Sequence, residues 1–443
     1  MSDTKDIYHE LLLQIGSSRE VNQYLKVFSD VDSLRFAVIK VGGGVIQDNL
    51  PELSAAITFL HRLGLRPIIL HGAGPQVDVA LKNAKIDCEK VDNLRVTTEE
   101  VMSVARPIIY DINQQLVAML ESRGIRARSI QHGTFTASFL DKKRYGLVGE
   151  IDSVNTNTIK QAIAADAIPV LTCLGETSAG QVLNINADIA TRELVWAIKP
   201  HKIIFLTPTG GLLDANERII PAVSLDNDYE TLINEPWVHS GMQLKLHQIN
   251  EILQKLDVSS SVSITSAHNL SRELFTHRGA GTLIRKGEKI SLYENPNNEI
   301  MQTVTEMIEA AFNKSLKSNW ADTLKNPVIL MSDSQRAAAV VVTGQDGIPY
   351  LDKFIVTPEG RGEGLGAAIW QCLSAHYPQF YWRSRNSNPI TPWYFSKADT
   401  CERRNEWVIF TINITDKDIR ARVVADALFR DAGWTTITDE GEV

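Results

Sequence analysis

Val38-Ile39-Lys40-Val41-Gly42-Gly43-Gly44 sets a lysine near the end of a β-branched run and three glycines directly behind it. Residues without side chains let backbone N–H groups approach phosphate oxygens, and the lysine adds positive charge beside them. The order is not that of a Walker motif, in which the lysine follows the glycines. A tight strand-to-loop turn with an incidental lysine is the plain structural reading of the same run. The next segment adds context. Asp48 and Asn49 can cap a helix with Pro51 in its first turn and Leu53, Ile57 and Leu60 on one face, and Pro67 to Leu70 is a second apolar run. Strand, helix and strand in this order make a βαβ unit.

The alternation continues through Ala127 to Ile130, Ile168 to Thr172, Ile203 to Leu206 and Ser261 to Thr265, with helical stretches between. It predicts an α/β domain over residues 34–286, an open sheet of parallel type with helices on both faces. A second glycine turn, His71-Gly72-Ala73-Gly74-Pro75, follows the second strand, so two glycine loops fall at the same end of neighbouring strands. Open α/β sheets bind ligands at that end. Farther on, Asn184-Ile185-Asn186-Ala187-Asp188 precedes a helix, and Ser240-Gly241-Met242-Gln243-Leu244-Lys245 supplies another lysine. Taken singly, the first reads as a helix cap and the second as a solvated lysine.

Taken together, the segments VIKVGGG, HGAG, NLRVT, NINAD and GMQLKL, in this order, resemble the amino acid kinase family and within it the N-acetylglutamate kinases. The resemblance implies ATP with Mg2+ and transfer of a phosphoryl group to the side-chain carboxylate of N-acetyl-L-glutamate. It assigns Lys40 and Lys245 to neutralising that group and Asp188 to orienting the two lysines. It puts Gly42 and Gly43 against the nucleotide phosphates, and Gly72, Ala73, Arg95 and Asn184 against the acylated amino acid. No protein metal ligand is expected. A carboxylate is already ionised at neutral pH, so its phosphorylation needs alignment and charge neutralisation but no general base. One departure stands out: the family carries an Asp in the turn after the fifth strand, where this chain reads Leu206-Thr207-Pro208-Thr209-Gly210-Gly211.

Residues 286–299 are polar and contain Asn295-Pro296-Asn297-Asn298, which predicts a linker, with a second domain over 287–443. A helix is expected near Met301 to Phe312, strands at Val328 to Met331, Ala337 to Thr343 and Tyr350 to Thr357, and a helix from Leu365 to Leu373. Between the last two lies Arg361-Gly362-Glu363-Gly364-Leu365-Gly366, a turn able to offer N–H groups at a helix N-terminus to a pyrophosphate. This arrangement resembles the coenzyme A site of the GNAT acetyltransferases, with Arg361, Gly362, Gly364 and Gly366 holding acetyl-CoA. Tyr381-Trp382-Arg383-Ser384-Arg385 puts two arginines on one strand face, which suits a dicarboxylate, although an exposed edge strand would look the same. With Asn388 to Phe395 and Tyr350 to Phe354, the run resembles the acetyltransferase domain of vertebrate-like N-acetylglutamate synthases. That resemblance assigns Lys314, Lys353, Arg383, Arg385 and Asn388 to L-glutamate and Tyr394 to protonating the departing thiolate.

The remaining sequence sets outer bounds. A chain of 443 residues exceeds what one core usually supports, and 44% hydrophobic with 22% charged residues is ordinary for a globular protein. A net charge of -8 argues against nucleic acid or anionic membrane as partner. The four cysteines lack metal or disulfide-framework spacing, and no apolar run reaches membrane-spanning length, so a cytoplasmic location is expected. Leu11, Leu12, Ile15, Val21, Tyr24, Leu25 and Phe28 outline a helical arm over residues 1–33, to pack either on a partner subunit or on its own domain, and with the family resemblance the first reading predicts a homo-oligomer. The product of the second predicted activity is the substrate of the first, which predicts a bifunctional enzyme of arginine biosynthesis. The alternative keeps the synthase and makes the kinase-fold half a silent module that binds L-arginine.

Overall fold

Period-2 alternation along Ala37–Val41 (β1) sends Ala37, Ile39 and Val41 into one apolar cluster and Val38 into another, so the strand is buried on both faces. In this computed structural model β1 is a central strand of an eight-stranded sheet, as such burial requires. The other strands are Ile68–His71 (β2), Ala127–Ile130 (β3), Ile168–Leu171 (β4), Lys202–Leu206 (β5), Ala222–Ser224 (β6), Ser261–Thr265 (β7) and Thr282–Arg285 (β8). Their spatial order is β6-β8-β7-β5-β1-β2-β4-β3, and only β7 and β8 pair antiparallel. The structure describes residues 33–238, 240–256, 260–275, 280–317, 319–361, 364–431 and 434–435. The predicted N-terminal arm therefore lies outside the described residues, apart from Ser33.

Helices Gly43–Arg62 (α1), Gly74–Asn83 (α2) and Glu99–Ser122 (α3) cover the face carrying Ile39. Helices Ala187–Ile198 (α4) and Ser240–Gln254 (α5) cover the face carrying Val38, which Lys40 shares by alternation. α1 starts earlier than the sequence suggests: Gly42 is its N-cap, and Gly43 and Gly44 form its first turn. Asn49, at φ -135°, interrupts the helix two residues before Pro51. The expected start at Asp48 and Asn49 is thus a break inside one helix, close to Pro51, whose ring removes a backbone donor and crowds the carbonyl one turn earlier. A four-stranded sheet of Phe135–Phe139, Gly149–Val154, Leu174–Glu176 and Val182–Asn184 was not anticipated from sequence. Phe135–Phe139 and Gly149–Val154 are half exposed and the other two strands are only three residues long, so none carries an apolar run like those of the central sheet.

The chain divides into two compact units, one ending at Lys286 and the next beginning at Gly287. The second is built on seven strands: Ile290–Glu294 (β9), Val328–Ser332 (β10), Ala337–Thr343 (β11), Pro349–Val356 (β12), Phe380–Arg385 (β13), Thr400–Arg404 (β14) and Trp407–Ile412 (β15). They lie in the order β9-β10-β11-β12-β13-β15-β14, so the stretch read as a linker forms the edge strand β9 instead. None of β9's five residues is fully buried, although Ile290 packs against one apolar cluster and Tyr293 against another, and polar residues on either side of this short strand mask its pattern. β12 and β13 are parallel and share one register pair, Tyr350 with Tyr381, near their N-terminal ends. One sheet face packs on Leu365–His376 (α7), as Leu365, Ile369 and Leu373 show. The other packs on Asn298–Phe312 (α6) and Lys417–Phe429 (α8).

Candidate active sites

Three predicted residues converge on one face of the first unit. Lys40 comes from β1, Asp188 from the first turn of α4, and Lys245 from α5. The Lys40 Nζ lies 2.8 Å from Asp188 Oδ1, although that oxygen accepts no aligned hydrogen bond, so the contact is chiefly one of charge. Burial and the charge of Lys40 hold the Lys245 ammonium below its usual pKa, with Asp188 opposing them. Asn186, and not Asp188, caps α4: its Oδ1 accepts from Asp188 N at 2.8 Å and from Ile189 N at 3.4 Å. Capping is therefore satisfied without Asp188, whose carboxylate is left to face Lys40.

Beside this group opens a cavity of about 450 Å³, lined by both glycine loops, Lys40, Asp188, Arg95 and Asn184. Gly43 occupies a position where no side chain fits: a Cβ there would lie 2.6 Å from Gln76 Oε1, 2.9 Å from Pro75 Cδ and 3.3 Å from the Ala73 carbonyl carbon. At Gly44 the nearest atom is Pro208 Cγ at 3.9 Å. Gly43→Ala is therefore expected to destabilise the chain by about 1–3 kcal/mol, the scale of overpacking, while Gly44→Ala costs little. Urea denaturation of both variants checks this, and equal midpoints would refute it. The Ala73 N–H donates to no acceptor among the described residues, although Ala73 is 5% exposed and lines the cavity.

Arg95 stands on the hairpin formed by Lys90–Val91 and Leu94–Arg95. Its Nη1 lies 2.6 Å from Asp78 Oδ1 and its Nη2 donates to Gly74 O at 3.3 Å. Lys90 Nζ joins the same carboxylate at 3.2 Å. Burial pushes the Asp78 carboxyl up, but Arg95 and Lys90 outweigh it and hold it below the usual carboxylate range. Asn184 donates to Thr97 Oγ1 at 3.0 Å. Sequence reading missed Asp78, Lys90 and Cys173. Cys173 lines the cavity, and burial pushes its thiol up to about 11. An acid in the helix behind a glycine turn was the available signal for Asp78.

In the second unit the predicted residues fall on two sheet faces. Tyr394, in the short helix Thr391–Phe395, is 6% exposed and ringed by Phe354, Trp370, Trp382, Trp393 and Phe410. Burial raises its phenol pKa, so the group stays protonated. Lys353 lies on the opposite face: its Nζ donates to Asp352 Oδ2 at 2.7 Å and sits 4.7 Å from the Trp434 ring centroid. A β-bulge decides this, because Val341 faces Leu351 while Val340 faces Lys353, leaving Asp352 as the extra residue.

Arg383 and Arg385 share one strand face, as alternation predicts, and both stack over Trp407, at 4.2 and 5.1 Å. Arg383 also donates to Ala427 O at 2.7 Å and Asp431 O at 3.1 Å, at the end of α8, and Arg385 pairs with Glu406 at 2.8 Å. Arg361 donates to Ala311 O at 2.9 Å, in the last turn of α6. All three guanidiniums are thus engaged within the protein. Gly364 has φ +80° just before α7, and a Cβ on Gly366 would meet Val356 Cγ2 at 3.3 Å. Asn388 Oδ1 accepts from Ile390 N at 3.3 Å, Lys314 is exposed, and Gly362 lies outside the described residues.

The fold and the first site define a class: the chain belongs to the amino acid kinase family, which residues 35–265 match. Residues 291–428 match the NAT family, the N-acetyltransferase of N-acetylglutamate synthase, so two enzyme domains are fused in one chain. Among similar proteins, "Acetylglutamate kinase" of Xylella fastidiosa is 44% identical over 396 residues, covering 89% of this chain and 94% of its own. "Protein ARG5,6, mitochondrial" of Candida albicans is 40% identical over 92% of this chain, which spans 48% of that longer protein. A structure of N-acetylglutamate synthase from Neisseria gonorrhoeae, complexed with coenzyme A and N-acetyl-glutamate, shares the fold with a TM-score of 0.61. Its identity is 17%, over 89% of this chain and 98% of that one.

Proposed function

We propose that the chain is a bifunctional enzyme of arginine biosynthesis. Its first domain phosphorylates N-acetyl-L-glutamate with ATP, and its second acetylates L-glutamate with acetyl-CoA. The observation that carries the kinase reading is the convergence of Lys40, Lys245 and Asp188 beside a cavity walled by Arg95 and Asn184. The side-chain carboxylate of the acid attacks the γ-phosphorus, the bond to the β-phosphate oxygen breaks, and ADP leaves. Charge grows on the bridging and equatorial oxygens, where two ammonium groups stabilise it. Asp188 keeps the two cations near one another despite their repulsion. The Ala73 N–H offers a preformed donor to an anionic oxygen of the ligand. Gly42 and Gly43, at the positive end of α1, approach the nucleotide phosphates.

Magnesium is assigned to the nucleotide, whose phosphate oxygens are the hard ligands it takes. In the second domain the neutral glutamate amine attacks the thioester carbonyl, the carbon–sulfur bond breaks, the Tyr394 phenol gives its proton to the thiolate, and the proton shed by the amine returns through solvent to the phenolate. Arg361, Gly362, Gly364 and Gly366 are assigned to acetyl-CoA, and Lys314, Lys353, Arg383, Arg385 and Asn388 to glutamate. Arg383 and Arg385 would have to exchange protein partners for the ligand. Four unpaired cysteines support a reducing compartment, and we assign the cytoplasm. A homo-oligomer and an L-arginine effector complete the reading.

The domains are assigned to 34–286 and 287–443, following the compact units. Residues 1–286 expressed alone are expected to keep ATP-dependent acyl phosphate formation, trapped as the hydroxamate, and to lack acetyl transfer. A folded but inert fragment beside an active full chain would show that the first domain depends on the second.

A further inference from the structure

His71 closes β2 and stands at 0% exposure directly before the loop that lines the cavity. It belongs to no step described above. Its ring is fixed by Asn113 of α3, also at 0% exposure. The Asn113 amide nitrogen contacts two groups, the Val170 carbonyl oxygen at 3.1 Å and His71 Nε2 at 3.1 Å. A peptide carbonyl can only accept, so the Asn113 atom facing it is the nitrogen. The Asn113 oxygen, on the other side, accepts from Ser129 Oγ at 2.6 Å. One amide hydrogen goes to Val170 O, and the second is left for His71 Nε2, which must therefore be the unprotonated ring nitrogen. In a neutral imidazole the proton is then on Nδ1. The acceptor facing Nδ1 is Gly72 O, at 3.4 Å.

A trans peptide holds its C=O and N–H antiparallel in one plane. A Gly72 carbonyl held toward the buried imidazole turns the N–H of the same peptide, that of Ala73, away from it. That N–H is the one with no acceptor among the described residues, in a residue that lines the cavity. The Gly72 N–H is already held on Val41 O at 2.9 Å, so the loop is pinned from β1 as well. We infer that Asn113 and His71 form a buried relay that sets the histidine tautomer and thereby aims the Ala73 N–H at the anionic acceptor substrate. His71 is thus a positioning residue for the proposed kinase reaction, on which this inference rests, and Asn113 positions His71.

Two substitutions separate this role from packing. In His71→Asn the short amide reaches the place of Nδ1 and can still donate to Gly72 O. In His71→Gln the amide reaches the place of Nε2 and keeps the Asn113 contact but not the donor to Gly72. Both remove ring volume and should lower thermal stability alike. In the full chain, His71→Asn is expected to stay within about threefold of the unmodified kcat/KM for acyl phosphate formation, and His71→Gln to lose about 10- to 100-fold. The 15N spectrum of the histidine-labelled full chain should show His71 protonated on Nδ1 and bare on Nε2. Equal losses in the two variants, the reverse order, or an Nε2–H tautomer would overturn the relay. If the unmodified chain makes no acyl phosphate, the kinase reading fails, and the spectrum still reports the tautomer.

Discussion

Lys40→Ala and Lys245→Ala are each expected to lower ATP-dependent acyl phosphate formation by about 100- to 1000-fold, the usual effect of removing a preorganised electrostatic partner. Lys40 is 16% exposed and held beside Asp188, so its ammonium is fixed before any ligand arrives. Lys245 approaches from a different helix, and burial already lowers its pKa, so its charge is poorly screened by water. A charge that is fixed and little solvated stabilises a transition state without reorganising. Affinity for the acylated amino acid should change less, because Arg95 and Asn184 have their own partners, Asp78 and Thr97. Acetyl transfer should persist in both variants, since its assigned residues all lie in the second unit. Parallel measurement of hydroxamate formation and thiol release decides the matter. Full kinase activity in both variants would remove the lysines from the chemistry and favour the silent arginine-binding module.

Tyr394→Phe is expected to slow acetyl transfer by about 10- to 1000-fold, the range in which acid catalysis and positioning contribute. The substitution removes one oxygen from an otherwise aromatic surround, so the packing against Phe354, Trp370 and Trp382 is retained. The hydroxyl has no hydrogen-bond partner among the described residues, which leaves nothing in the protein to lose. Burial keeps the phenol neutral near neutrality, so no alkaline loss from its own titration is expected there. Kinase activity should be unaffected. Equal loss in both assays would mark a folding defect, and an unchanged acetyl transfer rate would make Tyr394 a core residue only.

The inner strands of the central sheet are legible because they are buried on both faces, as Ile168–Leu171 and Lys202–Leu206 are, and read as apolar runs between helices, whereas Ala222–Ser224 and Thr282–Arg285 are not among the expected strands. Ala127–Ile130 and Ser261–Thr265 fall where the sequence put them, and Ala337–Thr343 does likewise in the second unit. β9 was not legible for a local reason: Ile290-Ser291-Leu292-Tyr293-Glu294 is short and lies between the polar stretches 286–289 and 295–298, so the whole segment reads as a linker. The helix start at Gly43 was hidden for a different reason, since glycine has poor helix propensity and the tight approach of Gln76 and Pro75, which leaves no room for a side chain at Gly43, comes from another segment. Asp78, Lys90 and Asn113 were missed because their roles depend on partners 12 to 57 residues away or on a different element.

The sequence by itself determined the α/β character of the chain, the two glycine turns at one sheet end, and the kinds of residue available for charge neutralisation. These follow from local rules, the periods of 2 and 3.6 and the conformational freedom of glycine, which act over a few residues. Only the tertiary structure decided which residues meet. Lys40, Asp188 and Lys245 come together because α4 and α5 pack on the face of β1 that Lys40 shares, a fact of packing between segments far apart in sequence. The bulge at Asp352 sends Lys353 to the face opposite Tyr394, and the amide of Asn113 selects the His71 tautomer. Each outcome rests on a hydrogen-bond partner or register that no local pattern encodes, because burial alone fixes which side a strand turns inward but not what lies across from it.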